Sequence, residues 1–271
     1  MGRAMVPFTN LYTVLFIAES LKRRHWQSVS ELHYIEMVSN MNSNAPSLKA
    51  VAFDAYGTLF DVYAITAQAE DYWPGQGAAL AKLWRDKQIE YTRLRSMAGA
   101  IRYKSFWQIT IDSLRFATRA LSLTLSGAQE QGLLDQYAAL KPFPENLDVL
   151  KTLKARGLSL SILSNGSPDM LATAVSSAGM AGVFDAVLSA DTVKRFKVDA
   201  SVYQLVCDRF TCRPEEVLMV SSNCWDVAGA HWFGFQTFWV NRTAQPIEQL
   251  DMQPNYEGKT LQDLLAILSA R

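Results

Sequence analysis

The sequence predicts an α/β fold: a Rossmann-like parallel sheet core with helices on both faces and a helical segment inserted after the first strand. Three observations predict it. Short apolar runs recur from Leu48 onward, helical patterns separate them, and residues 63–141 contain no strand-like run. Runs of about six apolar residues alternating with roughly ten-residue helices are the pattern of βαβ units, whose strands are covered on both faces.

The first run, "LKAVAFD", ends at Asp54, and "LSLSILSNGS" repeats the design with Leu158 to Leu163 ending in Ser164 and Asn165. "FDAVLSA", "EVLMVSSN" and "FQTFWVNR" are the third, fourth and fifth runs. Helices are expected over Asn146 to Arg156, Pro168 to Ala178, Ala200 to Phe210 and Trp225 to Phe233, and "ARGL" at 155–158 is a helix stop with glycine at the cap. Inside the insertion, Leu80, Leu83, Trp84, Lys87, Tyr91 and Leu94 fall at helical spacing, and Phe106, Ile109 and Ser113 continue another helix. Pro142 and Pro144 in "KPFPEN" mark its end. The expected organisation is therefore a core of residues 48–62 and 142–271, a helical insertion of 63–141, and an N-terminal extension of 1–47.

That extension differs in character. "VPFTNLYTVLFIAES" is too short and interrupted to span a bilayer, and "LKRRHW" follows it, the wrong order for a secretory signal. Three readings stay open: a loosely attached helix, a dispensable extension, or upstream sequence ahead of a later start at Met37 or Met41. "NMNSNAPS" then reads as a linker.

Composition narrows the function. Lys+Arg 26 against Asp+Glu 26 gives no net charge, so the basic footprint of a nucleic-acid binder is missing. With 49% hydrophobic residues over 271, the chain can bury a sizeable core. The three cysteines, Cys207, Cys212 and Cys224, have no CxxC spacing, and their odd number suits a reducing compartment, the cytoplasm.

Ligands of open parallel sheets bind outside the carboxyl ends of the strands. The residues just past those ends are Asp54 to Thr58, Ser164 with Asn165, the stretch around Lys197, and Ser221 to Asp226. Singly, each reads as a turn or cap residue. A carboxylate, a serine–asparagine pair, a lysine and a second carboxylate arriving at one edge read as a site.

The order D-x-Y-G-T-L-F-D, L-S-N-G-S, a lysine, then S-S-N-x-x-D resembles the haloacid dehalogenase superfamily, and in detail its L-2-haloacid dehalogenase branch. The resemblance runs from Lys49 to about Arg242, and "LWRDKQIEYTRLRSM" is similar to that branch's cap helix, which makes 63–141 a cap. Superfamily phosphatases carry D-x-D, in which the second acid protonates the leaving group, and an acidic tail motif that helps bind Mg²⁺. Here Tyr56 holds the second position, and Ser222 and Asn223 stand where the acidic pair would be. A hard Mg²⁺ ion wants several carboxylate oxygens. A departing halide needs no proton. No metal or other cofactor is expected.

The resemblance implies hydrolysis of an (S)-2-haloalkanoic acid, a small halogenated carboxylic acid, to the (R)-2-hydroxyacid. Asp54 would be the nucleophile, attacking C2 to form an ester on its own side chain. Lys197 would keep Asp54 ionised, although valine follows it at 198 where the family has proline. Ser164, Asn165 and the backbone amides that begin at Ala55 would hold the substrate carboxylate. Arg85, beside Trp84, would receive the halide. Its neighbours Arg93 and Arg95 are rotated from it by about 80° to either side. Thr58, Ser221 and Asn223 would fix Asp54 and polarise the ester, Asp226 would help activate water, and Tyr203 would complete the network. Tyr56 and Trp225 would wall the halogenated carbon. The resemblance also implies a homodimer. Competing expectations are a fluoroacetate dehalogenase, a Mg²⁺-dependent phosphatase and a non-catalytic superfamily member.

Overall fold

The structure, a computed structural model, describes residues 47–269. The N-terminal extension read above therefore lies, but for Ser47, outside the described residues.

Six strands form one sheet: β1 (Ala50–Phe53), β2 (Ser159–Ser164), β3 (Ala186–Ser189), β4 (Val217–Ser221), β5 (Gln236–Val240) and β6 (Tyr256–Gly258). All pairings are parallel, in the order β3-β2-β1-β4-β5-β6. The chain steps outward one way from β1 through β3, then crosses back to β4 and steps the other way. The place where the order reverses lies between β1 and β4, and such a switch point opens a crevice at the carboxyl edge. Phe53 pairs with Val220, so Asp54 emerges level with Ser221. All four residues of β1 are buried, which explains why it shows no polar–apolar alternation.

Helices follow in chain order: α1 (Thr66–Tyr72), α2 (Gly77–Met97), α3 (Phe106–Ala120), α4 (Gly127–Ala138), α5 (Asn146–Ala155), α6 (Pro168–Ser177), α7 (Ala200–Phe210), α8 (Cys224–Phe233) and α9 (Gln262–Ser269). Right-handed crossovers put α5 and α6 on one face of the sheet and α7 and α8 on the other. In keeping with that, α7 lies on β2 and β3, α8 lies on β4 and β5, and the two touch, while α5 packs on β2 and meets α9. The end signals are local. Pro168 opens α6, Asp199 caps α7 by accepting from the Ser201 amide, and Gly234 ends α8 in the left-handed region.

Helices α1 to α4 lie in the insertion, and α2 packs between α1 and α3. The buried positions of α2 are Leu80, Ala81, Trp84, Arg85, Gln88 and Thr92, and the Trp84 indole donates to the Thr110 carbonyl of α3 at 2.9 Å. The two ends of the insertion come together where the Asp61 amide donates to the Lys141 carbonyl and the Phe143 amide to that of Leu59.

The five strands read from apolar runs are present, trimmed at their ends. β6 is an addition: Tyr-Glu-Gly has no apolar run and exists because β5 offers an edge to pair with. Helices α1 and α4 were also not separated by periodicity, although Ser126 and Gln129 form a capping box at the start of α4.

Asn146, fully buried at the start of α5, donates to the carbonyls of Thr58 and Leu59 at 3.1 and 2.9 Å. It therefore ties α5 to the loop that follows Asp54. Asn146→Leu leaves a buried carbonyl short of its donor and is expected to cost about 1–3 kcal/mol. A urea melt measures it, and unchanged stability would mean the tie is not needed.

Candidate active site

Asp54 stands just past the carboxyl end of β1, almost fully buried, and its two oxygens have different partners. Oδ1 accepts from Lys197 Nζ at 3.1 Å. Oδ2 accepts from the Thr58 hydroxyl at 3.1 Å and from Asn223 Nδ2 at 2.8 Å. The Thr58 hydroxyl in turn accepts from the Ser222 amide at 2.8 Å, so its hydrogen is aimed at the carboxylate. Ser221, at the end of β4, accepts from the Asn223 amide at 3.1 Å and thereby shapes the turn that presents the asparagine. The Ala55 carbonyl accepts from the amides of Thr58, Leu59 and Phe60 and closes the loop on itself.

Lys197 arrives from the segment between β3 and α7, where its peptide bond to Val198 is cis. Its ammonium bridges Asp54 and Asp226, the latter at 2.8 Å from Oδ2, and its side chain has no exposed surface. Burial alone would strip its charge, but the charges of Asp226 and Asp54 outweigh that and hold it above the ordinary lysine range. Asp226, in the first turn of α8, is fully buried, and burial pushes its carboxyl up against the pull of Lys197. The Tyr203 hydroxyl donates to Asp226 Oδ1 at 2.9 Å and is itself pushed well up by burial. The Lys197 amide donates to Asn165 Oδ1 at 2.9 Å. Ser164 accepts from the Gly166 amide at 3.0 Å.

Arg85 reaches in from α2. Its Nη2 donates to the Tyr56 carbonyl at 3.0 Å and to Asn223 Oδ1 at 3.3 Å. Tyr56 is buried with its ring stacked on Tyr137 at 5.7 Å and close to Phe106 at 5.6 Å. Together Asp54, Tyr56, Arg85, Ser164, Asn165 and Trp225 border a narrow, nearly closed pocket. Among the described residues no three His, Cys, Asp or Glu side chains group to hold a metal ion. Of the two carboxylates present, each already accepts from Lys197.

The model of haloacid dehalogenase-like hydrolases matches residues 48–234. The chain belongs to that family. It is 44% identical over 220 residues to an (S)-2-haloacid dehalogenase of Pseudomonas sp. strain YL, covering 81% of this chain and 94% of the relative. A solved L-2-haloacid dehalogenase superposes with a TM-score of 0.81 at 50% identity, covering 83% and 100% of the two chains. Another, from Xanthobacter autotrophicus with chloropropionic acid covalently bound, gives 0.76 at 35% identity over 82% and 98%.

Every residue picked out in the hydrolase's sequence is found at this one edge or on the helix above it. Others were missed. Ile89, Thr92 and Phe106 also line the pocket, and the first two follow Arg85 at helical spacing, the signal that could have found them. Arg93 does not line it but lies over the Trp225 ring at 5.1 Å, and Arg95 donates to the Arg102 carbonyl. Gly229 was missed as well. A Cβ there would meet Val198 Cγ1 at 2.4 Å and the Tyr203 hydroxyl at 2.5 Å, so only glycine lets α8 come this close to the lysine segment. Gly229→Ala is expected to cost about 1–3 kcal/mol through overpacking, read from a denaturant melt. A melt equal to wild type would show that the segment yields freely.

Proposed function

We propose that this hydrolase converts (S)-2-haloalkanoic acids to (R)-2-hydroxyacids and halide through an ester on Asp54, without a metal. The observation that carries the reading is the asymmetry of Asp54. Oδ2 is held by two donors, while Oδ1 has the ammonium alone and keeps a lone pair for attack. Oδ1 bonds to C2 as the carbon–halogen bond breaks, and the halide leaves with the bonding electrons toward Arg85. C2 inverts once. Oδ2 becomes the ester carbonyl oxygen, polarised by Thr58 and Asn223. Water then attacks the Asp54 carboxyl carbon, giving up a proton toward Asp226; the bond from that carbon to Oδ1 breaks, and the oxygen leaves on C2 and takes up a proton as the hydroxyl of the product. The C2–oxygen bond stays intact, so the product keeps the inverted configuration.

In this reading residues 63–141 act as a cap over a core of 48–62 and 142–271. The Ser164 hydroxyl, the Asn165 NH₂ and the amides from Ala55 hold the substrate carboxylate, and Tyr56 and Trp225 shield the reacting carbon from water. Tyr203 steadies Asp226, and Ser221 steadies Asn223. The three free thiols suit a reducing compartment such as the cytoplasm. Pairing as a homodimer belongs to the proposal too. Met97 and Ile101, 85% and 91% exposed near the end of α2, offer an apolar patch. Met97→Asp is then expected to shift the mass seen by light scattering from two chains to one, and a wild-type monomer would refute the pairing.

Halide release from chloro-, bromo- and fluoroacids, with and without EDTA, tests the activity. Release is expected on (S)-2-chloropropionate and is expected to withstand EDTA. Loss restored by Mg²⁺ would overturn the metal-free reading. Asp54→Asn is expected to abolish turnover. In a single turnover in ¹⁸O-enriched water the label should enter Asp54, not the hydroxyacid. Label appearing first in product would mean that water attacks C2 directly.

Arg85→Ala is expected to lower kcat more than it raises KM, because charge on the halide grows only as the bond breaks. Arg85→Lys keeps a charge without the planar fork and should recover part of the rate. Near-normal kcat in Arg85→Ala would show that the halide leaves elsewhere.

A further inference from the structure

Helix α2 brings Arg85 to the site, and three turns later it brings a second polar group. Ser96 lies eleven residues on, about 16 Å further along the axis and rotated by only about 20°. Ile89 and Thr92 fall between them on the same stripe, so one helix face looks onto the site along its length. Ser96 is not at the pocket. Its hydroxyl accepts from the Phe196 amide at 2.7 Å and lies 3.4 Å from the Phe196 carbonyl, to which it donates. Both hydrogen-bonding functions of the serine are thus spent on the backbone of one residue, the residue immediately before Lys197.

The Phe196 side chain is held by the same segment. It is fully buried, stacked on Tyr103 at 5.0 Å and tilted against Phe106 at 6.5 Å. Tyr103 also donates to Asp191 at 2.8 Å, at the start of the loop that leads to the lysine. The next peptide group is held from the core instead, by Asn165. The lysine backbone is therefore fixed from two sides, by the insertion at 196 and by the core at 197. A side chain as long as lysine magnifies any backbone displacement at its ammonium, which here must meet Asp54 and Asp226 together.

We propose that Ser96 is a positioning residue that ties the placement of Lys197 to the seating of α2, so that Arg85 and Lys197 reach the site around Asp54 as one unit. The catalytic part of this inference rests on the activity proposed above; the positioning part does not. If α2 lifts, the halide-receiving cation and the support of the lysine segment leave together, and the nucleophile is fully dressed only when the cap is seated.

Two measurements on Ser96→Ala and Ser96→Thr test it. The first is amide hydrogen exchange on the unliganded protein. In Ser96→Ala exchange is expected to quicken about tenfold or more at Phe196, and also at Lys197, whose own acceptor is untouched. Exchange in 217–221 of β4 should stay as in wild type, which marks an intact fold. The second is halide release from (S)-2-chloropropionate, where Ser96→Ala should lower kcat by about tenfold with KM within about threefold, since a small misplacement of a catalytic group acts on the chemical step. Ser96→Thr keeps the hydroxyl and should restore most of both. Lys197 exchange unchanged in Ser96→Ala would overturn the positioning role, and kcat within twofold of wild type would overturn its catalytic consequence. No halide release from wild type, with the exchange changing as stated, would sink the activity and leave the positioning role standing.

Discussion

The site depends on one buried cation. Lys197 lies with no exposed side-chain surface between Asp54 and Asp226 and bonds to both, and its pull opposes the burial that pushes the Asp226 carboxyl up. Stripping each ion of water costs several kcal/mol, so a buried network of this kind is a weak source of stability. Removing one member is another matter, because it leaves an uncompensated charge and costs roughly 3–5 kcal/mol. The ammonium is therefore best understood as what holds a poorly hydrated carboxylate in place at the end of β1. A carboxylate in that condition is what attack on a carbon–halogen bond requires.

The rest of the molecule can be traced outward from that contact. Register puts Asp54 beside Ser221, and the turn after Ser221 delivers Asn223 to one carboxylate oxygen and Asp226 to the lysine. Gly229, one turn further along α8, leaves room for Val198 and the Tyr203 hydroxyl to close in on the same group. From the other side, α2 lowers Arg85 onto Asn223 and the Tyr56 carbonyl. Asn223 thus serves both halves of the site: its NH₂ holds Asp54 while its oxygen receives the arginine. Its amide orientation is fixed by that pairing of one donor with a carboxylate and one acceptor with a guanidinium.

How much of this the sequence disclosed varies with the kind of feature. Strands β1, β2, β4 and β5 were legible because a strand buried on both faces is mostly apolar, and β3, half-exposed at the sheet's edge, because its short run is still apolar; the polar residues past the strand ends were legible because the sheet stops there. β6 was not, since three residues of Tyr-Glu-Gly take their structure from a neighbour. Asp54 and its lysine stood in recognisable motifs. Arg85 had no local signal of its own: on spacing alone it is one more arginine on an amphipathic helix, and only resemblance singled it out. Ser96 and Gly229 were invisible for a related reason. A serine near a helix end and a glycine inside a helix read as ordinary, and their importance lies in what another segment brings against them.

The tyrosine at 56 and the lysine at 197 belong to one electrostatic arrangement. In formal charge, Asp54 and Asp226 are matched by Lys197 and Arg85, so this group of four carries no net negative charge. A second acid at position 56 would break that balance and call for a further positive charge, which is the arrangement the D-x-D pattern pairs with Mg²⁺. A tyrosine instead contributes a ring stacked on Tyr137 and tilted against Phe106 and adds no charge at neutral pH, its hydroxyl being pushed well up by burial. Ser164 and Asn165 bring neutral polar groups to the same edge, while the two cations stay bonded to Asp54, Asp226, Asn223 and the Tyr56 carbonyl. What looks in the sequence like a lost acid keeps one more negative charge away from a site already built around a buried lysine.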